Sequence, residues 1–126
     1  MQEIIEKIRK AIVSRRYNYN IEKDLQEGLA QVLCDDGFDA VREVVFGKDR
    51  IDILVSCRTL KYTGKIAIEV KIKGSWKDLV AQALRYLSNP DIDALIVVGT
   101  RSWIHSIPLE LCGKPVIAIR LIDSLL

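Results

Sequence analysis

Two short segments bring together the residue types that can hold a cation beside a positive side chain. In Ile66-Ala67-Ile68-Glu69-Val70-Lys71-Ile72-Lys73 the pattern alternates. Side chains on a strand repeat every two residues, so Ala67, Glu69, Lys71 and Lys73 share one face. Ile51-Asp52-Ile53-Leu54-Val55 carries a single charge within an apolar run. A carboxylate buried in such a run needs a partner or a metal. If the two segments pair as a hairpin, Asp52 comes close to Glu69. Two neighbouring carboxylates repel unless a proton or a cation lies between them. The competing reading is an ordinary half-buried strand, with the isoleucines on the core and the charges in water.

A third acid lies upstream. At 100° per residue, Glu22 falls on the stripe of Leu25, Leu29 and Leu33, whereas Glu27 falls off it. Glu22 therefore faces the sheet and is the helix acid of choice, with Glu27 as the fallback. An ordinary first-turn acid at a helix N-terminus would occupy the same position.

The elements that must position these residues follow from periodicity and punctuation. Glu3 to Val13 has helical apolar spacing at Ile4, Ile5, Ile8, Ile12 and Val13. Ser14 to Asn20 reads as a loop. Asn20 is placed to cap a second helix from Ile21 to about Asp36, with Gly37 ending it. Ala40–Phe46, Ile51–Cys57 and Lys65–Lys73 read as strands. The second is entered through Gly47-Lys48-Asp49-Arg50 and the third through Tyr62-Thr63-Gly64. Trp76–Leu87 reads as a helix stopped by Ser88-Asn89-Pro90. Asp93–Val98 reads as a strand buried on both faces. Ser106–Cys112 is expected to be a short helix and Pro115–Leu121 a last strand. The expected fold is α/β, a mixed central sheet flanked by helices.

Composition narrows the function classes. With 126 residues, 49% hydrophobic and 29% charged, the chain is expected to form one globular domain over 1–126. No apolar stretch approaches the ~20 residues of a membrane span, and no signal peptide is visible at the start, so an intracellular location is expected. A net charge of +2 neither requires nor excludes nucleic acid. Cys34, Cys57 and Cys112 are too scattered for a zinc ribbon and are expected to be small buried thiols. His105 is the lone histidine, so a metal would sit on carboxylates and carbonyls, which suits magnesium or manganese. No P-loop or Gly-x-Gly-x-x-Gly occurs.

Asp52, sixteen intervening residues, then Glu69-Val70-Lys71 resembles the signature of the PD-(D/E)XK nuclease superfamily. The expected α-β-β-β-α-β order from Ile21 to Val98 is similar to that superfamily's restriction-endonuclease-like core. Gln82-Ala83-Leu84-Arg85-Tyr86 fits the Gln-x-x-x-Tyr motif of its RecB-like, Holliday-junction-resolvase-like branch. Ile51 stands where the name-giving proline would be, a position at which the branch varies.

The resemblance implies a metal-dependent nuclease hydrolysing phosphodiester bonds, with DNA favoured over RNA on family grounds. It implies that Asp52, Glu69 and the carbonyl of Val70 ligate Mg2+ or Mn2+, with Glu22 ligating directly or through water. Lys71 would orient the attacking water and stabilise the growing phosphate charge. Gln82 and Tyr86 would bind or position nucleic acid and tie their helix to the site. A homodimer is a further expectation, motivated by small size and an apolar surplus.

The flanking residues carry two readings each. Lys73 and Ser75 follow the charged strand and suit a phosphate, or form a plain glycine turn and helix cap. Arg9, Lys10, Arg15 and Arg16 with Tyr17 and Tyr19 suit a nucleic-acid grip, or a solvated helix end with tyrosines covering the core. Trp103 and His105 lie in the loop after Val98 and read as packing and exposed residues. The rival functions are a noncatalytic nucleic-acid-binding or assembly module that retains the fold, and a structural domain whose strand charges are merely solvated.

Overall fold

The apolar spacing near the start forms helix α1, Gln2–Val13, which buries Ile5, Ile8, Ala11 and Ile12. Helix α2, Glu22–Asp35, buries Leu25, Leu29 and Leu33 on one stripe. Its end is a Schellman motif: Phe38 N–H reaches the Leu33 carbonyl at 2.9 Å and Gly37 N–H the Cys34 carbonyl at 3.0 Å. Gly37 takes φ +88°, a conformation that favours glycine. The start of α2 differs from expectation. Ile21, not Asn20, occupies the capping position, and no side chain caps the helix. The Asn20 N–H is instead taken by Asn18 Oδ1 at 3.3 Å, a local turn that ends before the helix begins.

The computed structural model describes residues 1–58 and 63–121; the expected turn residue Tyr62 lies outside them. The strands are β1 (Asp39–Phe46), β2 (Asp49–Arg58), β3 (Thr63–Lys71), β4 (Ala94–Gly99), β5 (Glu110–Leu111) and β6 (Lys114–Arg120), with helix α3 (Trp76–Leu87) between β3 and β4. The fold is α/β, with one mixed six-stranded sheet in the order β1-β2-β3-β4-β6-β5. β1 and β3 each run antiparallel to β2 between them, whereas β3, β4 and β6 run parallel. The parallel β3–β4 pair needs a long crossover, which α3 supplies.

The sheet is covered on both faces. α1 and α2 pack on Ile53, Val55, Ile66, Ile68, Val70, Ile96 and Val98. α3 packs on the other face, over Ala67, Leu95 and Val97. Burial of both faces explains why β4 is apolar throughout and fully buried. It also removes the competing picture of β3, in which the Glu69 face meets water.

The region after β4 departs from the sequence reading. No helix forms over Ser106–Cys112; a 3-10 helix spans Ser102–Ser106, and Glu110–Leu111 is a strand. Cys112 and Gly113 both take positive φ, 55° and 73°, as a two-residue hairpin turn of type I′ requires. Gly113 therefore closes a hairpin rather than stopping a helix. All three cysteines are free, but Cys34 and Cys112 are exposed and Cys57 is half-buried, so the expected burial does not hold. No helix among the described residues is long and apolar enough to cross a membrane.

Candidate active site

The site is built where β2 and β3 part. Their ladder runs from Arg58↔Thr63 to Ile53↔Ile68. The next pair in that register would be Asp52 and Glu69, and it does not form. Instead the Asp52 side chain enters the ladder, and its Oδ2 accepts the Val70 N–H at 2.8 Å. The β1–β2 ladder keeps its register but lacks the pair between Arg42↔Ile53 and Val44↔Ile51, where Glu43 takes φ 57° opposite Asp52. Strand alternation slips here too. Ile53 packs on the α1–α2 side and Ile51, two residues earlier, on the α3 side. Asp52 therefore lies at the turnover of a hairpin whose tip curls toward α3. There Arg85 Nε meets Asp49 Oδ1 at 2.9 Å.

Glu69 lies on the α3 side and is only 3% exposed. Its Oε1 is 3.5 Å from Lys71 Nζ, and its Oε2 accepts from the Tyr86 hydroxyl at 3.2 Å. The Asp52 carboxyl lies close enough to Glu69 for the two acids to perturb each other. Burial and then the Asp52 charge push the Glu69 carboxyl up to about 8, against the pull of Lys71. Asp52 is raised as well, chiefly by burial, while the Val70 N–H draws it back. A Glu69 carboxyl raised to about 8 holds its proton near neutral pH, and a divalent cation is the other way to relieve the repulsion.

Glu22 arrives from the first turn of α2. It is half-buried, and its Oε1 accepts the Ile72 N–H at 3.1 Å. Its charge is close enough to raise Asp52. Glu27 is exposed and lies 3.6 Å from Arg42, away from the pair. Of the two candidate acids, Glu22 and Glu27, Glu22 is the one that the structure brings to the site.

Among the described residues, no group of three or more His, Cys, Asp or Glu side chains is gathered to hold a metal ion. The site consists of an acid pair, with a third acid bound to the backbone beside it. Two carboxylates with backbone oxygen nearby suit a hard divalent ion that keeps several waters, as magnesium does. Were such an ion bound, Asp52 and Glu69 would be the side chains to hold it, and its charge would offset the repulsion between the half-buried Asp52 and the buried Glu69.

The residues expected to touch substrate fall into two groups. Tyr86 is 3% exposed, and its hydroxyl faces Glu69 and the Arg50 carbonyl, the latter at 3.0 Å. It ties α3 to the site and orients Glu69, with no outward-facing role. Gln82, one turn earlier, holds a buried Oε1 with no hydrogen-bond partner. Lys73 is exposed at the end of β3. Ser75 caps α3 by accepting the Asp78 N–H at 3.1 Å after Gly74 at φ +110°, as the turn-and-cap reading has it.

Near the start of the chain, Tyr17 donates to the Ile12 carbonyl at 2.6 Å, and burial pushes its hydroxyl up to about 12. Tyr17 and Tyr19 both pack on the core, and Arg9 pairs with Glu6 at 3.4 Å. This matches the solvated-helix reading. Trp103 is partly buried on the α3 side and His105 is exposed.

A cavity of about 790 Å3 opens elsewhere, at the opposite end of β3, where Lys7, Cys57, Lys65 and Asp93 line it; none of the acid pair does. Sequence reasoning passed over Arg101, whose Nε donates to the Ile72 carbonyl at 3.1 Å. A single arginine after a strand carries no spacing signal, and only the sheet order brings it to the end of β3.

No family model matches this chain, and no curated protein matches it either.

Proposed function

We propose that this protein is a divalent-metal-dependent nuclease that hydrolyses phosphodiester bonds, most readily in DNA, on a restriction-endonuclease-like core. One observation carries the reading. Where two strands part, the buried Glu69 carboxyl and the half-buried Asp52 carboxyl perturb each other, and Glu69 Oε1 lies 3.5 Å from the ammonium of Lys71. The observed order α2-β1-β2-β3-α3-β4 supports the same reading, being the α-β-β-β-α-β order that the motif resemblance implies.

Asp52, Glu69 and the Val70 carbonyl would hold Mg2+ or Mn2+, with Glu22 alongside. When bound, such an ion polarises a phosphate oxygen and lowers the pKa of a coordinated water. The remaining work falls to the chain's own groups. Lys71 brings a positive charge to the phosphate as negative charge grows there. Tyr86 holds the second Glu69 oxygen and fixes the carboxylate's orientation. Glu22, through the Ile72 N–H, holds α2 against the end of β3 and adds a further oxygen at the rim.

The test is cleavage of labelled DNAs and RNAs, single-stranded, duplex, flapped and four-way, with Mn2+, Mg2+ or EDTA. Wild type and Lys71→Ala are prepared identically. Metal-dependent cutting that disappears in the variant is the expected result. No cutting of any substrate, with nucleic-acid binding indifferent to metal, would favour the noncatalytic binding module instead.

A further inference from the structure

The parallel strands β3, β4 and β6 end together. Their register aligns Lys71, Gly99 and Arg120 in one row across the sheet. Ligands of open α/β sheets gather outside such carboxyl ends. Two arginines stand at this edge in the same attitude. Arg101 Nε donates to the Ile72 carbonyl at 3.1 Å, just beyond β3. Arg120 Nε donates to the Thr100 carbonyl at 3.0 Å, just beyond β4. Each guanidinium is thus anchored by its inner nitrogen to the strand end next to its own.

The charge of these two groups is not neutralised. Among the described residues, Arg9, Arg42, Arg50 and Arg85 are each paired with a carboxylate. Arg101 and Arg120 are paired with none, and both are exposed. A carbonyl anchor orients a guanidinium without cancelling its charge. The terminal nitrogens keep the planar fork that matches a phosphate. Exposed lysines are floppy point charges by comparison. Strand spacing of about 4.8 Å places Arg120 roughly 10 Å along the row from Lys71.

We infer that Arg101 and Arg120 bind successive phosphates of one nucleic-acid strand. The strand runs from the carboxylate pair across the ends of β3, β4 and β6, perpendicular to the sheet strands. This rests on the nuclease reading of the adjoining pair and adds to it the path of the bound strand. Arg101 is the nearer contact, since it shares Ile72 with Glu22: Glu22 takes the Ile72 N–H and Arg101 its carbonyl. Arg120 is the farther one.

The experiment measures binding of a fluorescein-labelled single strand and duplex by anisotropy, with Ca2+ in place of Mg2+, across a salt series. The variants are Arg101→Gln, Arg120→Gln and the double, with Arg9→Gln as a control cation elsewhere. Glutamine keeps an N–H donor for the anchoring carbonyl but carries no charge. Each phosphate contact contributes about one unit to the slope of log affinity against log salt. The expected result is a loss of roughly one unit in each single variant and two in the double, with unchanged Tm and no change for Arg9→Gln. Slopes equal to wild type, with Mg2+-dependent cutting intact, overturn the path and leave the nuclease reading standing. A wild type that neither binds nor cuts nucleic acid overturns both.

Discussion

The Asp52 carboxylate substitutes for a piece of backbone: its Oδ2 receives the Val70 N–H at 2.8 Å where the β2–β3 ladder has stopped. A side chain that satisfies a buried backbone donor is hard to replace, because an orphaned N–H costs about 1–3 kcal/mol. The same carboxylate also raises Glu69 by its charge. Asp52 is therefore both a structural acceptor and an electrostatic partner. Asparagine separates the two roles, because its amide oxygen can still accept from Val70 while the charge is gone. In Asp52→Asn the Glu69 carboxyl is expected to titrate well below its wild-type value of about 8, without returning to 4.5, since burial persists. Side-chain carboxyl NMR reads this directly. An unmoved Glu69 titration would mean that the two acids do not interact.

Stability should depend on pH with a definite sign. Glu69 is held protonated up to about 8 in the folded chain, against 4.5 when free. Between these values the folded state binds the extra proton, so stability falls as pH rises through that window. Asp52, also raised, adds the same sign over its own range. Urea midpoints without metal are expected to be higher at pH 5 than at pH 8. Glu69→Gln should flatten this difference. A wild-type midpoint that climbs from pH 5 to pH 8 would contradict the buried, protonated Glu69.

Metal should act against the same proton. Manganese that binds between Asp52 and Glu69 has to displace the proton that Glu69 holds below about pH 8. Titration calorimetry of the whole chain, repeated in buffers of different ionisation enthalpy, should therefore show proton release at pH 7. The Tm gain from manganese should be larger at pH 8 than at pH 6. Heats independent of the buffer would place the ion elsewhere.

Glu22 and Glu27 make a clean pair for substitution. Glu22→Gln keeps an oxygen for the Ile72 N–H, so stability should change by less than about 1 kcal/mol. Its manganese affinity should drop several-fold. Glu27→Gln alters only an exposed pair with Arg42, worth at most about 1 kcal/mol, and should leave metal affinity as it was. Equal metal affinities in the two variants would remove Glu22 from the site.

Gly99 sets the spacing beneath Lys71. A Cβ there would collide with the Lys71 carbonyl oxygen and press on Ile104. Gly99→Ala is expected to cost about 1–3 kcal/mol in urea unfolding, and any cutting activity should fall further than stability does, because the displaced backbone carries Lys71. Gly113→Ala, which meets open space at a turn far along the chain, supplies the comparison, since its strain comes from φ 73° alone.

Much of this arrangement is legible in the chain itself, since short-range rules suffice for it. Helical spacing places α1, α2 and α3 within a residue or so of their ends, and Ser75 caps α3 as its type and position predict. The phase of Leu25, Leu29 and Leu33 is enough to turn Glu22 inward and Glu27 outward. Alternation puts Glu69 and Lys71 on one face of β3, and the apolar run around Asp52 marks that acid as unusual.

Other features depend on contacts between segments distant in sequence. Strand alternation assigns Ile51 and Ile53 to one face, yet they lie on opposite sides of the sheet, because the hairpin turns over at Glu43 and Asp52. The helix expected over Ser106–Cys112 gives way to a hairpin, because the expected last strand, Lys114–Arg120, pairs with Glu110–Leu111, a contact that local propensity does not foresee. Arg101 and Arg120 come to the same edge as Lys71 only through the order β3-β4-β6, which sets these strand ends side by side. Residue type and local period thus decide which groups are able to do chemistry, because they act within one turn or one strand. Their placement along one edge is decided by long-range pairing, since hydrogen-bonded register between strands is what sets Asp52 beside Glu69 and aligns Lys71, Gly99 and Arg120 in one row.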